Sequence, residues 1–192
     1  MNSIVLAFDK IRTDIYNWRV GQSWLVKLLM AFGFALLLGL FANIKILTPL
    51  SPVAFSLSTF GALLIGVVLG RRWGGVSVAI YAVMALIGLP VMTTATVGIT
   101  FGYVIGFAAA ALFIGYLVDH VIKSRKFAPL FLVMTVAAMV ILLFGTIWMW
   151  LWIGGELSLW ETLRLSAVPF IIPDLLKAIA AATLATIILP KK

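Results

Sequence analysis

An acid and a base lie one helical turn apart in the last apolar segment of the chain, as Asp174 and Lys177. Residues at positions i and i+3 share a face of a helix, so the two side chains can pair. A charged side chain costs roughly 2.5–3.5 kcal/mol at the centre of a membrane helix and less near the interface. Proteins keep such groups where they pair, line a water-filled cavity or bind a polar solute. The spacing therefore predicts a polar recognition site at these two residues.

The composition indicates what kind of protein positions this pair. Of 192 residues, 64% are hydrophobic and only 10% are charged. A soluble domain of this size needs more polar surface, so we expect an all-α integral membrane protein. The net charge of +8 is spread over short loops, where cations set membrane orientation and meet the headgroups of membrane lipid. This distribution argues against nucleic acid as a partner.

Six apolar segments are long enough to cross roughly 30 Å of hydrocarbon. They lie at about 26–43, 53–70, 76–92, 100–118, 129–152 and 170–189. The second and third are separated only by Arg71–Gly75, in which two arginines and two glycines are typical of a tight turn at an interface. We therefore predict a six-span membrane domain over residues 26–192.

The basic residues indicate how the six spans are oriented. An even number of spans places both termini on one side, and that side collects eleven cations: Lys10, Arg12, Arg19, Lys27, Arg71, Arg72, Lys123, Arg125, Lys126, Lys191 and Lys192. The opposite side has only Lys45 and Arg164. Because cytoplasmic loops are enriched in Lys and Arg, we expect a multi-pass protein of the cell membrane with both termini cytoplasmic. Asp174 and Lys177 then face the outer half of the membrane.

Two helices are predicted outside the spans. Within residues 1–25, apolar residues recur every three or four positions: Ile4, Phe8, Ile11, Ile15 and Trp18. This pattern predicts an amphipathic helix, which we interpret as interfacial and on the cytoplasmic side; docking to a cytoplasmic partner is the alternative. Ser158–Glu161 fits a capping box and predicts a short helix in the outer loop after the fifth span, either anchored at the interface or folded over the site as a lid.

Several kinds of chemistry have no residues to support them. The sequence has no cysteine and one histidine, and Asp174 is the only acid in a predicted span, so we expect no metal site and no cofactor. Neither a GxxxxGKS/T phosphate loop nor an HExxH or GxSxG motif occurs. We therefore expect a binding protein and not an enzyme, and ATP-driven transport would need an ATPase on another subunit.

Several segments resemble the BioY family, whose members are the biotin-binding S components of energy-coupling-factor (ECF) transporters. In chain order they are Ala42–Ile46, Pro52–Gly61 with Leu69–Gly70, Leu86–Val91, Thr100–Phe107 and Pro173–Ala178. The likeness runs over about residues 30–189. It implies an ECF S-component-like bundle of six helices that captures biotin on the outer face for uptake. It also implies two kinds of partner, a transmembrane T component and a pair of ABC-type ATPases.

The resemblance implies roles for single residues in the binding site. Asp174 and Lys177 match an aspartate and a lysine of the family's last helix, which contact the ureido ring of biotin. A carboxylate and an ammonium together complement the N–H donors and the carbonyl acceptor of that ring. In the same resemblance, Tyr103, Phe101 and Thr100 shape the pocket.

Other positions carry interpretations that the sequence leaves open. Lys45 takes the place of a basic residue common in the family, either as a counter-charge for the valerate carboxylate or as a contact to headgroup phosphate. Ser58 stands on the binding side, where the family usually has a glutamine. Ala35 and Gly39 match the family's small-xxx-small pattern for docking against the T component, and ordinary helix packing is the alternative.

Two alternative functions follow from the same residues. Ser58 and a shortened 92–99 loop depart from the family's usual pattern, so a related vitamin such as lipoate is an alternative ligand. An ion-coupled carrier in which Asp174 relays protons is a further alternative. That mechanism calls for more than one intramembrane acid.

Overall fold

The computed structural model describes residues 2–89, 98–121 and 125–190. Its helices are α1 (Asn2–Gly21), α2 (Trp24–Asn43), α3 (Ser58–Leu86), α4 (Phe101–His120), α5 (Phe127–Trp152), α6 (Leu159–Ser166) and α7 (Ile171–Ile188). A short hairpin pairs β1 (Lys45–Ile46) antiparallel with β2 (Phe55–Ser56), and a 3-10 helix at Val168–Phe170 precedes α7. The prediction of an α-helical membrane protein is confirmed.

Five helical segments of the described chain are long and apolar enough to cross a membrane. Four of them match the predicted first, fourth, fifth and sixth spans to within a few residues, except that the last begins earlier and runs from Leu159 to Ile188. The remaining one is α3, whose 29 residues cover most of both the second and the third predicted spans. The count of six crossings therefore depends on how α3 is divided.

The backbone of α3 is interrupted at Gly70. This residue has φ 74° and ψ −176°, a conformation that disfavours residues with a Cβ. A Cβ added at Gly74 would lie 3.4 Å from the Cα of Gly66, although eight residues of continuous helix span about 12 Å. The chain therefore turns back at Gly70. The turn was predicted within Arg71–Gly75; that segment is helical, and the residue with the required positive φ comes just before it.

The order of the helices follows from close approaches at small residues. α4 lies between α3 and α5, α7 packs against α5 and α3, and α2 packs against α3. A Cβ at Gly66 would lie 2.8 Å from the carbonyl oxygen of Ala111, and one at Gly106 would lie 2.7 Å from the Cα of Ile141. Large apolar side chains such as Leu132 remain exposed on the outside of the bundle. A small-residue interior and an apolar exterior are what a lipid environment favours.

The two ends of the bundle carry different structures. The end we call the cavity end holds the β1–β2 hairpin, the start of α4, the helix α6 and the start of α7. The predicted capping box is present there, with Ser158 and Glu161 bonded reciprocally at the start of α6. The end we call the basic end holds α1, the turn at Gly70 and the last turn of α4.

The predicted N-terminal amphipathic helix is present as α1. The face of α1 that carries Arg12, Tyr16 and Arg19 lies against the bundle. Arg12 Nε donates to the carbonyl oxygen of Ile187 at 2.7 Å, and Arg19 Nη2 donates to Asp119 Oδ1 at 2.8 Å. Its apolar face is left outside, with more than half of each side chain exposed at Phe8, Ile11, Ile15 and Trp18. The helix is thus attached to the bundle through its two arginines, and its place at a lipid interface stays a prediction.

Candidate functional site

A cavity of about 160 Å³ opens at the cavity end of the bundle. Its walls come from the end of α2, the hairpin, both halves of α3, the starts of α4 and α7, and the middle of α5. Its lining residues include Ala42, Lys45, Val53, Ser56, Ser58, Thr59, Tyr81, Thr100, Tyr103, Phe107, Leu142, Phe170, Asp174 and Lys177. Half of the residues named are apolar or aromatic, and the polar ones would fix a ligand's orientation.

Asp174 and Lys177 form an ion pair at this cavity. Lys177 Nζ donates to Asp174 Oδ1 at 2.7 Å, and the side chains are only 12% and 3% exposed, respectively. The second oxygen, Oδ2, is buried and has no hydrogen-bond partner of standard geometry among the described residues. The hydroxyl of Thr59 lies close to the same carboxylate. One oxygen of Asp174 is therefore fixed by the ammonium and the other is open to a donor from a ligand.

The local sequence explains why the pair lies at this depth. The 3-10 helix Val168–Phe170 has a proline in its first turn, and α7 follows it at Ile171. Asp174 falls in the first turn of α7, where the helix dipole favours a negative charge. Lys177 lies one turn further along the same face. The carboxylate is thus held at a helix N-terminus with its counter-charge beside it.

An aromatic wall faces the ion pair. Tyr103 is buried, and its hydroxyl donates to the carbonyl oxygen of Ser166 at 2.6 Å. A Cβ at Gly145 would overlap the Tyr103 ring, so the ring depends on that glycine for its position. The rings of Tyr103 and Phe170 lie 6.3 Å apart, and those of Phe55 and Phe170 lie 4.5 Å apart. Tyr103 and Phe170 line the cavity and offer apolar surface to part of a ligand, and Phe55 packs against Phe170.

The hairpin brings a second cation and two hydroxyls to the cavity. Lys45 is paired across the hairpin with Ser56, and the Oγ atoms of Ser56 and Ser58 lie 2.5 Å apart. No ion pair is made by Lys45 within the described ranges. This leaves one lysine at the cavity that no carboxylate of the described chain neutralises, in contrast to Lys177.

The structure brings most of the predicted site residues together. Six of them line the cavity: Asp174, Lys177, Tyr103, Thr100, Lys45 and Ser58. Phe101 is not among the lining residues, and its ring lies 5.6 Å from that of Trp148 instead. Most of the predicted 92–99 loop lies outside the described residues.

The predicted docking residues do not lie on a free surface. Ala35 and Gly39 are buried on the face of α2 that packs within the bundle. The outward positions of the helix carry large apolar side chains such as Phe32, Leu36 and Leu40. The small-xxx-small spacing lets helices approach closely whichever helix is the neighbour, and here the neighbour is α3. Both residues are covered within the chain itself, and a contact with a partner at these positions stays a prediction.

Of the lining residues that were not singled out from the sequence, three bear on the site: Thr59, Tyr81 and Phe170. Thr59 lies within a segment that carried the family resemblance, next to Ser58. Tyr81 is buried in the second half of α3, and a tyrosine inside a predicted span is a signal that could have found it, since buried hydroxyls need partners. Phe170 has no such signal, because one more phenylalanine in an apolar run is indistinguishable from core.

The arrangement can recognise a small molecule that is polar at one end and apolar elsewhere. It offers a carboxylate oxygen as an acceptor, an ammonium as a donor, hydroxyls beside them and aromatic walls around them. Among the described residues, no group of three or more His, Cys, Asp or Glu side chains could hold a metal ion. The fold and this site together define an integral membrane protein with a solute cavity at one end of a helical bundle.

Comparison with known proteins makes the assignment specific. The fold matches a crystal structure of the S component for biotin from an ECF-type ABC transporter, with a TM-score of 0.74, 22% identity and coverage of 86% of this chain and 93% of that chain. The probable biotin transporter BioY of Methanothermobacter thermautotrophicus is 38% identical over 138 residues, which are 66% of this chain and 88% of that protein. The corresponding protein of Lysinibacillus sphaericus is 35% identical over 174 residues, covering 85% and 87%. A model of the BioY family matches residues 14–191. The chain belongs to the BioY family.

Proposed function

We propose that this chain is the substrate-capture subunit of an ECF-type transporter and that its ligand is biotin. The observation that carries the proposal is the Asp174 carboxylate, buried at the cavity with one oxygen held by Lys177 and the other without a partner of standard geometry in the described chain. The relatives named as biotin transporters support the choice of ligand. No described group suits metal or nucleotide chemistry, so recognition and not catalysis is the role assigned to the site.

The chemistry of biotin fits the distribution of groups around the cavity. A ureido ring has two N–H donors and one carbonyl acceptor. Asp174 Oδ2 accepts from one N–H, while Lys177 donates to the carbonyl without leaving the carboxylate. The aromatic wall of Tyr103 and Phe170 packs against the fused rings. Lys45, at the hairpin, neutralises the valerate carboxylate at the mouth of the cavity.

We further propose six crossings, with the cavity end outside the cell. The turn at Gly70 supports the count, because the close approach of Gly66 and Gly74 requires the two halves of α3 to run side by side. The charge distribution supports the orientation, since the basic end collects most of the lysines and arginines. Both termini are then cytoplasmic in the cell membrane, and the cavity is open to solute arriving from outside.

A capture subunit of this kind needs partners to drive uptake. The sequence has no phosphate-binding loop, so the energy comes from a pair of ABC-type ATPases coupled through a transmembrane T component. Ala35 and Gly39 are buried in the chain alone, so we assign the T-component contact to neither. The large apolar residues on the outer face of α2 are open to lipid or to that partner.

Calorimetric titration of the detergent-purified, ligand-stripped chain with biotin tests the proposal, with lipoate titrated in parallel. We expect one-to-one binding of biotin and no heat from lipoate, because lipoate lacks the ureido N–H donors that Asp174 accepts. Binding of lipoate in place of biotin would keep the capture role and reassign the ligand. Failure of both, from a folded and monodisperse sample, would refute the assignment of this cavity as a vitamin site.

A further inference from the structure

The basic end holds a second cavity, with a volume of about 460 Å³. It lies between α1, the first turn of α2, the turn at Gly70 and the last turn of α4. Four cations line it, Arg19, Lys27, Arg71 and Arg72, against a single acid, Asp119, among the described lining residues. One carboxylate cannot neutralise four cations, so the described part of this cavity is strongly electropositive.

Three of these cations occupy positions that are unfavourable without a nearby anion. Lys27 lies in the first turn of α2, and Arg71 and Arg72 begin the half of α3 that follows Gly70. The helix dipole favours negative charge at such N-terminal positions. At the second of these helix starts, Asp119 Oδ2 already accepts from the Arg71 amide at 2.9 Å. An anion in the cavity would offset the dipole at the start of α2 and the remaining lysine and arginine charges.

The chain itself satisfies these cations only in part. Arg19 is fixed, since it donates to Asp119 Oδ1 at 2.8 Å and to the carbonyl oxygens of Val67 and Val68 at 3.2 and 3.1 Å. Lys27 Nζ donates to the carbonyl oxygen of Val20 at 2.7 Å. Within the described ranges, Arg72 makes no hydrogen bond or ion pair. Arg72 and Lys27 therefore have donors to spare.

A further arginine, Arg125, adds positive charge behind the wall of the cavity. The ring of Tyr16, which lines the cavity, lies between two guanidinium groups, with Arg19 Cζ 4.5 Å and Arg125 Cζ 4.6 Å from its centroid. Arg125 is 5% exposed, so water screens its charge poorly. The tyrosine hydroxyl accepts from Arg125 Nη2 at 3.1 Å, and this contact holds the second guanidinium in place.

The surroundings of the cavity point to an anion that carries an apolar tail. Met30, Leu69 and Trp73 line the same cavity as the cations. Trp24, at the start of α2, is 68% exposed, as tryptophans at the headgroup level of a membrane are. We propose that this cavity binds the phosphate group of an anionic membrane lipid, with Arg72 and Lys27 contacting the phosphate and the acyl chains lying along the outside of α2.

Native mass spectrometry of the purified chain, with phosphatidylglycerol and phosphatidylcholine added at equal concentration, tests this site. The cavity variant is Lys27→Gln/Arg72→Gln. The matched control is Lys10→Gln/Lys126→Gln, which removes the same charge from exposed positions outside the cavity. We expect the wild type and the control to retain phosphatidylglycerol in preference to phosphatidylcholine. The cavity variant should bind it at least about tenfold more weakly, because each lysine or arginine near a headgroup contributes about a fivefold gain in affinity and two are removed.

Two results would overturn the proposal. Equal losses in the cavity variant and in the control would show general attraction of anionic lipid to a basic surface and no defined site. Unchanged binding in the cavity variant would show that Lys27 and Arg72 do not contact the lipid. Soluble glycerol phosphate, added as a competitor, separates the two sources of phosphate. We expect it to leave the lipid bound, and displacement by it would reject the lipid in favour of a free phosphate compound.

Discussion

Replacing Asp174 by asparagine tests the proposed biotin contact most directly. Asparagine keeps the shape of the side chain, but it loses the charge and turns one of the two acceptor positions into an N–H₂ donor. That donor then faces either a ligand N–H or the Lys177 ammonium, and neither can accept. A hydrogen bond to a charged group contributes roughly 1.5–3 kcal/mol, and about 1.4 kcal/mol is tenfold in affinity. We therefore expect Asp174→Asn to bind biotin about 10- to 150-fold more weakly.

The same substitution removes the counter-charge of Lys177, so stability has to be measured beside affinity. Breaking a buried ion pair by removing one partner costs roughly 3–5 kcal/mol. The Lys177 side chain is 12% exposed, which places the expected loss at the lower end. The double variant Asp174→Asn/Lys177→Met removes both charges, so no unpaired charge remains. We expect this double variant to regain thermal stability while its biotin affinity stays low.

Calorimetric titration gives the affinity, and thermal unfolding followed by tryptophan fluorescence gives the stability. Asp14→Asn is the matched control, because Asp14 is exposed on α1 and far along the chain from the cavity. Wild-type affinity in a folded Asp174→Asn sample would refute the role of the carboxylate in binding. Recovery of both stability and affinity in the double variant would show that the pair is structural and that the ligand is held elsewhere.

Further predictions concern the packing around the site. Gly66→Leu should lower the yield of monodisperse protein severalfold, because its Cβ would lie 2.8 Å from the α4 backbone. The control Gly33→Leu should keep the wild-type yield, because nothing lies within 4 Å of a Cβ at that position. Equal yields of the two variants in size-exclusion chromatography would contradict this prediction. Tyr103→Phe loses a 2.6 Å hydrogen bond to α6, and we expect a loss of about 1–3 kcal/mol in stability for the orphaned carbonyl, measured by thermal unfolding. Asp119→Asn weakens the contact with Arg19 and should speed hydrogen exchange in α1 about tenfold; unchanged exchange would show that other contacts hold α1.

The spans and the ion pair could be predicted because a membrane restricts the structures that an apolar sequence can adopt. Apolar segments of span length have few alternatives to helices, and a charged pair inside one of them needs a reason to be there. The position at which α3 divides into two halves is harder to predict from the sequence. Arg71–Gly75 has the composition of a turn, but the decisive property is the positive φ of Gly70. Several glycines in succession do not show which of them adopts it.

Neighbouring residues of one helix show what sequence alone leaves undecided. Successive residues of an α-helix are about 100° apart, so Thr100 and Tyr103 share a face while Phe101 points away from Tyr103. The family resemblance assigned all three residues to the pocket. Only the packing of α4 against α5 shows that Phe101 faces Trp148. The same holds for Ala35, because the spacing shows that one face of α2 carries small residues but does not show which helix packs against that face.

Contacts between distant parts of the chain were beyond the sequence patterns altogether. Arg19 and Asp119 are 100 residues apart and pair at 2.8 Å. From the sequence, Arg19 counted only toward the net charge of one side and Asp119 only as an acid outside the spans. Their meeting depends on the turn at Gly70, where the Arg71 amide donates to Asp119 Oδ2 at 2.9 Å. One carboxylate thus ties α1, the turn and the end of α4 together.

The surroundings of the Asp174–Lys177 pair bear on why the site should bind tightly. A buried ion pair adds little net stability compared with apolar residues of the same volume, so packing alone is a weak reason for it. A buried acceptor without a full partner costs about 1–3 kcal/mol, and Asp174 Oδ2 is in that position within the described chain. A ligand donor that reaches Oδ2 removes this cost and adds a charge-assisted bond. The position of Oδ2 at the cavity therefore favours capture of a solute with an N–H group.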